Sequence, residues 1–293
     1  MKKVLLTGAN GFVGSYLSEE LRANNYFVKE IREETCDLRN TLEVESCVGN
    51  DTFFAAFHLA AVSSVSQCER MGKQCIDDNL SMTLNLMDAL KGKVERFIYI
   101  SSAEVYGKGR REHIETENTV PVSFYGLSKL LCEHSAFFYR RAGMEVIVAR
   151  PFPHIGVGQS ERFVFQSLAK QLVSLKREKI PVLKAGNIKV VRDFLDVRDV
   201  VRAYLMLLKK GKDGEIYNIT SSVPISIEQG LKIMANYLDI NPRIETEEQL
   251  IRDYDIPFMH GSFRKLNEHT GWKPVHRIEE TLKDIVKYFE SRA

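Results

Sequence analysis

Three side chains in this sequence have the types and spacing needed to move a proton at a carbonyl group. Tyr125 and Lys129 lie four residues apart in VSFYGLSKLL (122–131), so a helix would place both on one face. A tyrosine with its ordinary pKa of about 10 exchanges protons poorly at neutral pH, and a neighbouring ammonium would lower that pKa. Ser102 could hydrogen-bond the carbonyl oxygen. The trio therefore indicates general acid–base chemistry.

The tyrosine–lysine pair alone is weak evidence, because amphipathic surface helices often carry this spacing. Its location strengthens the interpretation. The stretch FIYISSAEVYG (97–107) precedes it, and there an apolar strand ends in the hydroxyls of Ser101 and Ser102. Ligands bind at the carboxyl ends of strands in doubly wound parallel sheets. No other tyrosine in the sequence has a lysine four residues later.

Three glycines near the amino terminus indicate a site for a phosphate-bearing cofactor. Gly8, Gly11 and Gly14 follow an apolar run and open a helix-compatible stretch that starts with Phe12 and Val13. They would permit a sharp turn, a close backbone approach to a ligand and close helix–strand packing, respectively. The N–H groups of the first helical turn would face a pyrophosphate. We therefore predict dinucleotide binding, although the spacing is GxxGxxG and not GxGxxG.

The residue at the end of the second strand should select the cofactor. A carboxylate there binds the adenosine ribose of NAD, whereas a basic residue accommodates the 2′-phosphate of NADP. The segment YFVKEIR places Arg32 at this position, so we predict NADP. Glu33 and Glu34 follow directly and leave NAD as the alternative.

The elements that must position these residues alternate between strand and helix. Short runs rich in Val, Ile and Phe predict strands at 3–7, 26–31, 53–59, 96–101 and 145–149. Apolar periodicity predicts helices near 12–23, 41–48, 67–91 and 122–142. This alternation predicts an α/β fold with a Rossmann-type, doubly wound parallel sheet covered on both faces.

The pattern changes after Pro151, where PFPHIGVGQ (151–159) predicts a loop. Further elements follow, namely helices near 160–177, 197–210, 226–238 and 278–291 and strands near 182–184 and 215–219. We predict a NAD(P)-binding domain over 1–152, with 190–212 packing back on it. Residues 153–293 should mainly form a smaller C-terminal α/β substrate-binding region.

Composition argues against several classes of partner. The chain has 41 basic and 39 acidic residues, interspersed, so no global field favours nucleic acid or a membrane surface. No apolar stretch approaches the roughly 20 residues of a membrane span, and the first predicted strand leaves no room for a signal peptide. The five cysteines contain no CxxC pair and are interpreted as reduced thiols of a cytoplasmic protein. No Cys/His spacing indicates a metal site.

The motifs TGANGFVG, CDL (36–38), FHLAAVSSV (57–65), SSAEVYG and YGLSK, in this order, resemble the extended short-chain dehydrogenase/reductase family, whose members act on nucleotide sugars. The resemblance implies cofactor contacts from Gly8, Gly11, Phe12, Val13, Gly14, Asp37, Leu38, Leu59, Ala60, Ala61, Asn79, Tyr125 and Lys129. It implies catalytic roles for Ser102, Glu104, Tyr125 and Lys129, and substrate contacts from Ser64, Ser102, Glu104 and Arg192. His58 is interpreted as a satisfied core histidine.

The second half narrows the resemblance. RPFPHIGVGQ (150–159), VVRDFLDVRDVVRAY (190–204), GEIYNIT (214–220) and TGWKP (270–274) are most similar to the GDP-4-dehydro-6-deoxy-D-mannose reductases of that family. The similarity implies reduction by NADPH of the 4-keto group of a nucleotide-linked 4-keto-6-deoxy sugar, with Arg192 pairing with the diphosphate. Pro153 stands where the relatives usually have Asn, and Ser262 replaces a carboxylate. These departures leave the base and the sugar open.

Three other functions remain as alternatives. A 4,6-dehydratase would use Glu104, but Ala103 occupies the neighbouring position where such enzymes usually carry Asp or a hydroxyl residue. A 4-epimerase would hold NAD tightly and convert UDP-hexoses without added cofactor. A non-catalytic dinucleotide-binding regulator fits less well, because the chain retains Ser, Tyr and Lys together. The resemblance also implies a homodimer built on apolar residues of the helices predicted at 67–91 and 122–142.

Overall fold

The computed structural model describes residues 1–109, 111–178, 180–250 and 256–292, with only the backbone of Leu250. In chain order the strands are β1 (Lys3–Thr7), β2 (Phe27–Ile31), β3 (Phe53–His58), β4 (Val94–Ile100), β5 (Glu145–Pro151), β6 (His154–Ile155), β7 (Leu183–Ala185), β8 (Val191–Asp193), β9 (Leu195–Asp196), β10 (Ile216–Ile219), β11 (Pro224–Ser226), β12 (Ile244–Thr246) and β13 (Phe258–Met259). The helices are α1 (Phe12–Ala23), α2 (Thr41–Val48), α3 (Val65–Met71), α4 (Lys73–Leu90), α5 (Phe124–Phe138), α6 (Val164–Lys176), α7 (Val197–Lys210), α8 (Ile227–Leu238), α9 (Arg264–Thr270) and α10 (Ile278–Glu290).

A six-stranded parallel sheet forms the centre of the molecule. Its strand order is β10-β5-β4-β3-β1-β2, so the chain moves outward from β1 in both directions. The reversal puts a switch point between β1 and β3, where ligands bind at the carboxyl ends of the strands. The predicted α/β fold with a doubly wound parallel sheet is confirmed.

Helices cover both faces of the sheet, as the continuous apolar strands require. On one face α1 and α7 pack together over buried residues such as Leu17, Tyr204 and Trp272. On the other face α2, α4 and α5 cover a second cluster that includes Leu86 and Phe97. His58 lies in this interior, with its ring nitrogens 2.8 and 3.2 Å from the hydroxyls of Thr7 and Thr83. The interpretation of His58 as a satisfied core histidine is confirmed.

Most of the remaining elements build a smaller layer beside the sheet, whereas α9 packs against β10 and α7. Helices α6, α8 and α10 share one apolar cluster around Phe165, Leu231 and Ile285. Three short sheets complete this layer, in the orders β11-β8-β13, β12-β7 and β6-β9. Strand β10, although late in the chain, pairs with β5 in the central sheet.

Most predicted elements agree with the structure to within a few residues. The predicted helix 67–91 is two helices, because Gly72, at a φ of +57°, separates α3 from α4. The short strands β6, β8, β9, β11, β12 and β13 and helix α9 were not predicted, and β6 lies within the predicted loop 151–159. Two or three residues carry too little apolar periodicity to indicate a strand.

The prediction that all five cysteines are free thiols is wrong for two of them. Cys68 on α3 and Cys75 on α4 form a disulfide, with their Cα atoms 5.1 Å apart. The turn at Gly72 folds the end of α3 against the start of α4, so two cysteines seven positions apart meet. Cys36, Cys47 and Cys132 are free. Within the described part of the chain, no helix has the length and apolar content to cross a membrane.

Candidate active site

A cleft of about 620 Å³ opens over the carboxyl ends of four neighbouring strands. Its walls come from the segments that follow β1, β3, β4 and β5, and from the start of α5. The C-terminal layer supplies the opposite wall, with residues such as Phe165, Phe194 and Met259. This volume lies within the range of sites that hold a cofactor or a drug-sized ligand.

The glycine turn after β1 forms one end of the cleft. Gly8 has a φ of +72°, and a Cβ placed on it would lie 2.8 Å from the backbone nitrogen of Ala60. A Cβ on Gly14 would lie 2.0 Å from the carbonyl oxygen of Gly8. Only glycine fits these two positions, because the obstructing atoms belong to the backbone. The turn thereby brings the start of α1 against the end of β3.

The start of α1 is suited to an anion. Gly11 is its N-cap and supplies no side-chain hydrogen bond, so N–H groups of the first turn are available for a ligand. Phe12 and Val13 also line the cleft. A dinucleotide pyrophosphate fits this cradle, since a Cβ at Gly11 would approach the Gly8 carbonyl oxygen to 3.2 Å and narrow it.

The wall predicted for the dinucleotide follows β3. Leu59 lines the cleft, and Ala60 and Ala61 are half-buried beside it. Asn79 lies behind this wall and is buried. Its Oδ1 accepts the Val62 N–H at 2.7 Å, and its Nδ2 donates to Ser128 at 2.9 Å. Asn79 thus ties the loop after β3 to α5.

The adenosine end predicted from β2 carries charges of both signs. Arg32 is exposed directly after β2 and forms an ion pair with Glu30 at 2.6 Å. Asn10, in the glycine turn, donates to the Glu34 carboxylate at 2.8 and 2.9 Å. Both a basic and an acidic side chain therefore lie near the position that selects the cofactor.

The predicted contacts Asp37 and Leu38 follow the same strand. Asp37 is half-buried and accepts hydrogen bonds from Arg39 through its carboxylate, with the closest contact at 2.8 Å. Leu38 is buried, and its carbonyl oxygen accepts a hydrogen bond from Asn85 at 3.0 Å. Asn85 on α4 thereby anchors this segment.

Ser102 and Tyr125 both line the cleft. Ser102 follows β4 and caps the 3₁₀ turn Ala103–Tyr106, accepting the Glu104 N–H at 3.2 Å. Tyr125 lies in the first turn of α5, whose N-cap is Ser123. A Cβ on Gly126 would lie 2.7 Å from the Glu104 carbonyl oxygen, so this glycine lets α5 approach the 3₁₀ turn. The Ser102 hydroxyl lies close enough to the Tyr125 phenol to act on its pKa, which it lowers.

Lys129 lies one turn after Tyr125 and borders the same cleft. It is 3% exposed, and its Nζ donates to the Ile100 carbonyl oxygen at 2.8 Å. Burial lowers the pKa of Lys129 to about 8, while the neighbouring Cys132 and Glu133 side chains act to raise it. The ammonium form therefore still predominates at neutral pH.

Burial is the main influence on the phenol of Tyr125. Burial raises the pKa of Tyr125 well above its usual value, the Ser102 hydroxyl opposes the rise, and the Glu104 carboxylate adds to it. The Lys129 ammonium lies 5.9 Å from the centre of the Tyr125 ring and points to a backbone carbonyl. Desolvation consequently outweighs the expected acidifying effect of the lysine.

The predicted substrate residues are distributed unevenly. Ser102 and Glu104 line the cleft. Ser64 caps α3 by accepting the Gln67 N–H, and its neighbour Ser63 lines the cleft instead. Arg192 lies on β8, half-buried, outside the described cleft lining.

The two departures from the family pattern also lie in different places. Pro153 lines the cleft, and its carbonyl oxygen accepts the Leu195 N–H at 2.9 Å. Ser262 donates its N–H to the His113 carbonyl oxygen at 3.0 Å and is outside the described cleft lining.

Several cleft residues carry no local sequence signal that predicts a site. His154, Gln159 and Phe163 line it from the segment between β5 and α6, and Met259 lines it from β13. The first three lie in or beside the loop PFPHIGVGQ, which was identified only as a loop. Over the described ranges, no group of three or more metal-ligating side chains could hold a metal ion.

Comparisons with known proteins agree with this geometry. Residues 4–220 match the family model described as "NAD dependent epimerase/dehydratase family". The chain is 34% identical to the GDP-6-deoxy-D-mannose reductase of Pseudomonas aeruginosa, covering 99% of this chain and 98% of that protein. It is 30% identical to the GDP-6-deoxy-D-talose 4-dehydrogenase of Aggregatibacter actinomycetemcomitans, covering 90% of each.

Among solved structures, the chain is similar to RMD from Pseudomonas aeruginosa complexed with NADPH. The TM-score is 0.91 at 33% identity, and the match covers 100% of this chain and 99% of that one. The chain therefore matches these relatives along nearly its whole length. It also contains the sheet order, the glycine turn and the Ser–Tyr–Lys cluster described above. The protein belongs to the NAD-dependent epimerase/dehydratase family, within the extended short-chain dehydrogenases/reductases.

Proposed function

We propose that this protein reduces the 4-keto group of a nucleotide-linked 4-keto-6-deoxy sugar with NADPH, in the manner of GDP-6-deoxy-D-mannose reductase. One observation carries the proposal: Ser102, Tyr125 and Lys129 line one cleft that also contains the glycine turn. A proton donor, its orienting hydroxyl and a cation thus lie beside a site suited to a dinucleotide. The similarity to the Pseudomonas aeruginosa reductase over the full chain supports the substrate class.

A bound NADPH would supply the hydride, and the protein would handle the proton. Ser102 would hydrogen-bond the C4 carbonyl oxygen and orient it towards Tyr125. Because burial raises the pKa of Tyr125, the phenol keeps its proton until negative charge develops on that oxygen, and then donates it. The Lys129 ammonium would stabilise the resulting phenolate and hold the nicotinamide ribose.

The remaining predicted residues would bind the two ligands. Gly8, Gly11 and Gly14 would hold the pyrophosphate, and Arg32 would accept the 2′-phosphate of NADP. Arg192 would pair with the sugar-nucleotide diphosphate. We also propose the predicted domain organisation, in which residues 1–152, with 190–212 packed on them, bind the cofactor and the remaining residues mainly bind the substrate.

A 4,6-dehydratase activity is the second candidate, because Glu104 lines the cleft. Dehydration also needs an acid for the leaving hydroxyl, and Ala103 cannot supply one. The 4-epimerase and the non-catalytic regulator have no such observation in their favour.

The test is a substrate panel. The purified protein is incubated with NADPH and 4-keto-6-deoxy sugars linked to GDP, dTDP, UDP and CDP, and products are identified by mass spectrometry and NMR. We expect NADPH oxidation and a 4-hydroxy product, with GDP preferred. Parallel incubations with GDP-mannose and UDP-hexoses in NAD(P)⁺ identify the alternatives, and conversion there without any reduction of a 4-keto sugar would replace this proposal.

We further propose a homodimer formed through α4 and α5. The outer face of α5 exposes Phe124, Leu127, Leu131 and Phe138. Apolar residues so arranged on one helix are typical of an interface. Sedimentation should give a dimer for the native protein and for Val275→Asp, an exposed apolar site elsewhere, and a monomer for Leu127→Asp/Leu131→Asp.

A cytoplasmic location is the corresponding proposal for the cell. The Cys68–Cys75 disulfide weakens the support from cysteine usage, since three of the five cysteines are free thiols. Fractionation of the source cells tests the proposal.

A further inference from the structure

A buried ion pair lies behind the candidate active site and takes no part in the chemistry proposed above. Arg150, at the end of β5, donates from Nε to Glu133 Oε1 at 2.9 Å and from Nη2 to Oε2 at 2.7 Å. The side chains of Glu133 and Arg150 are 2% and 4% exposed. The bidentate geometry is the strong form of this interaction. Well-packed apolar residues often stabilise a core at least as well as such a pair, so stability alone does not account for it.

The ion pair holds the segment after β4, which contains Ser101 and Ser102. Ser101 donates its hydroxyl hydrogen to Glu133 Oε1, and its backbone N–H donates to the Ala149 carbonyl oxygen at 2.8 Å. Ala149 is the residue before Arg150. Ser101 is therefore held through its side chain by α5 and through its backbone by β5. These contacts therefore fix the position of the next residue, Ser102.

The same helix holds the preceding residue of β4. Lys129, one turn before Glu133 on α5, donates to the Ile100 carbonyl oxygen at 2.8 Å. Successive turns of α5 thus fix successive residues of the strand end, Ile100 by a cation and Ser101 by an anion. On the far side, the Arg150 guanidinium lies 4.9 Å from the centre of the Tyr106 ring, at the end of the 3₁₀ turn that Ser102 caps.

We propose that Glu133 and Arg150 are positioning residues, which hold Ser102 in register with Tyr125 and keep the Lys129 ammonium against the strand end. The inference rests on the proposed function. Glu133 contacts neither ligand in this account and acts through Ser101 and Lys129.

The proposal also predicts a pH effect through Lys129. The titratable groups that face Lys129 are His58 of β3, Tyr99 of β4, and Tyr125, Cys132 and Glu133 of α5. Glu133 contributes the carboxylate charge that favours the ammonium form. Its neutralisation should therefore make Lys129 lose its proton at lower pH.

Glu133→Gln tests this, because the side chain keeps its shape and its hydrogen-bonding oxygen but loses its charge. Asp199→Asn is the matched control: Asp199 is also fully buried, pairs with Arg202 and accepts two N–H groups from 275–276. For Glu133→Gln we expect kcat to fall at least about tenfold, with the KM for NADPH within about threefold of the native value. Asp199→Asn should lower Tm while kcat stays within about threefold.

A second readout needs no substrate. The rate of Lys129 acetylation by acetic anhydride, followed by peptide mass spectrometry across pH, reports when this lysine loses its proton. The midpoint should move to lower pH in Glu133→Gln and stay in place in Asp199→Asn. Should the native protein reduce no 4-keto sugar, the proposed function fails while this measurement still decides the inference.

Two conservative variants guard against a folding defect. Glu133→Asp and Arg150→Lys keep both charges, so they should retain the native acetylation midpoint even where kcat falls through altered geometry. Native kcat in Glu133→Gln below its Tm, together with an unchanged acetylation midpoint, would overturn the inference.

Discussion

The two sides of the cleft are built in different ways. The side that we propose for the cofactor rests on backbone contacts between neighbouring parallel strands, where the turn after β1 lies against the residue two positions after the end of β3. The side that we propose for the substrate includes Met259 of β13, which pairs with β8, and β8 pairs in turn with β11. The first is assembled from units that follow one another in sequence, and the second from pieces that meet only in the folded chain. Substitutions on the proposed cofactor side should therefore reduce activity more than substitutions on the proposed substrate side.

Removing the proton donor should have the largest effect. In Tyr125→Phe the hydroxyl is lost while the ring that lines the cleft remains, so kcat should fall about 10²- to 10⁴-fold. The dissociation constant for NADPH, measured by fluorescence, should change little. Tyr139→Phe at the end of the same helix is the control and should keep native kcat. Native turnover in Tyr125→Phe would show that Tyr125 is not the proton donor.

The glycine turn tests the contrast directly. In Gly14→Ala the new Cβ would meet the Gly8 carbonyl oxygen at 2.0 Å, and the displaced backbone should cost about 1–3 kcal/mol. NADPH affinity should fall roughly tenfold to a hundredfold.

Gly261→Ala is the counterpart on the substrate side, because its Cβ would meet the ring of Phe152. That variant should raise the KM for the sugar nucleotide more than the dissociation constant for NADPH. Equal losses of NADPH affinity in Gly14→Ala and Gly261→Ala would remove the distinction between the two sides.

Acid should lower the free energy of unfolding through protonation of His58, the last residue of β3. Burial, followed by the charge of Lys129, lowers the pKa of His58 to about 3 from an ordinary value of 6.5. The unfolded chain therefore takes up this proton first, so the contribution to stability is complete above pH 6.5 and is lost as pH falls towards 3. Between pH 6.5 and 5 the free energy of unfolding in urea should fall by about 2 kcal/mol from this group.

His58→Gln should reduce that dependence on pH, and His134→Gln, at an exposed position of α5, should leave it unchanged. An equal slope in the native protein and in His58→Gln would mean that other groups cause the acid sensitivity.

Cofactor choice should show the smallest effect. Arg32→Ala should weaken NADPH binding about tenfold and leave NADH binding unchanged, since only the 2′-phosphate loses a charged hydrogen bond. Arg22→Ala is the matched control for Arg32→Ala, because Arg22 also pairs with Glu30 and is exposed. If NADH binds more tightly than NADPH to the native protein, the Asn10–Glu34 pair defines the cofactor site instead.

Much of the cofactor side was predictable from local patterns. The glycine spacing, the strand end at Ser101 and Ser102 and the four-residue interval between Tyr125 and Lys129 are short-range features, and helix or strand geometry converts each into a direction in space. The elements from β1 to β5 are long and periodic enough for the sequence to predict their type and order. These features determined the sheet, the helix faces and the chemistry that the cleft could perform.

Tertiary structure alone decided the rest. The Cys68–Cys75 disulfide depends on a turn at Gly72, the substrate wall depends on strands of two or three residues, and β10 joins the central sheet from beyond the substrate loop. The rise in the pKa of Tyr125 also depends on packing, since burial cannot be read from the residue pair itself. In each case contacts between distant segments supply the free energy, and no local pattern records them.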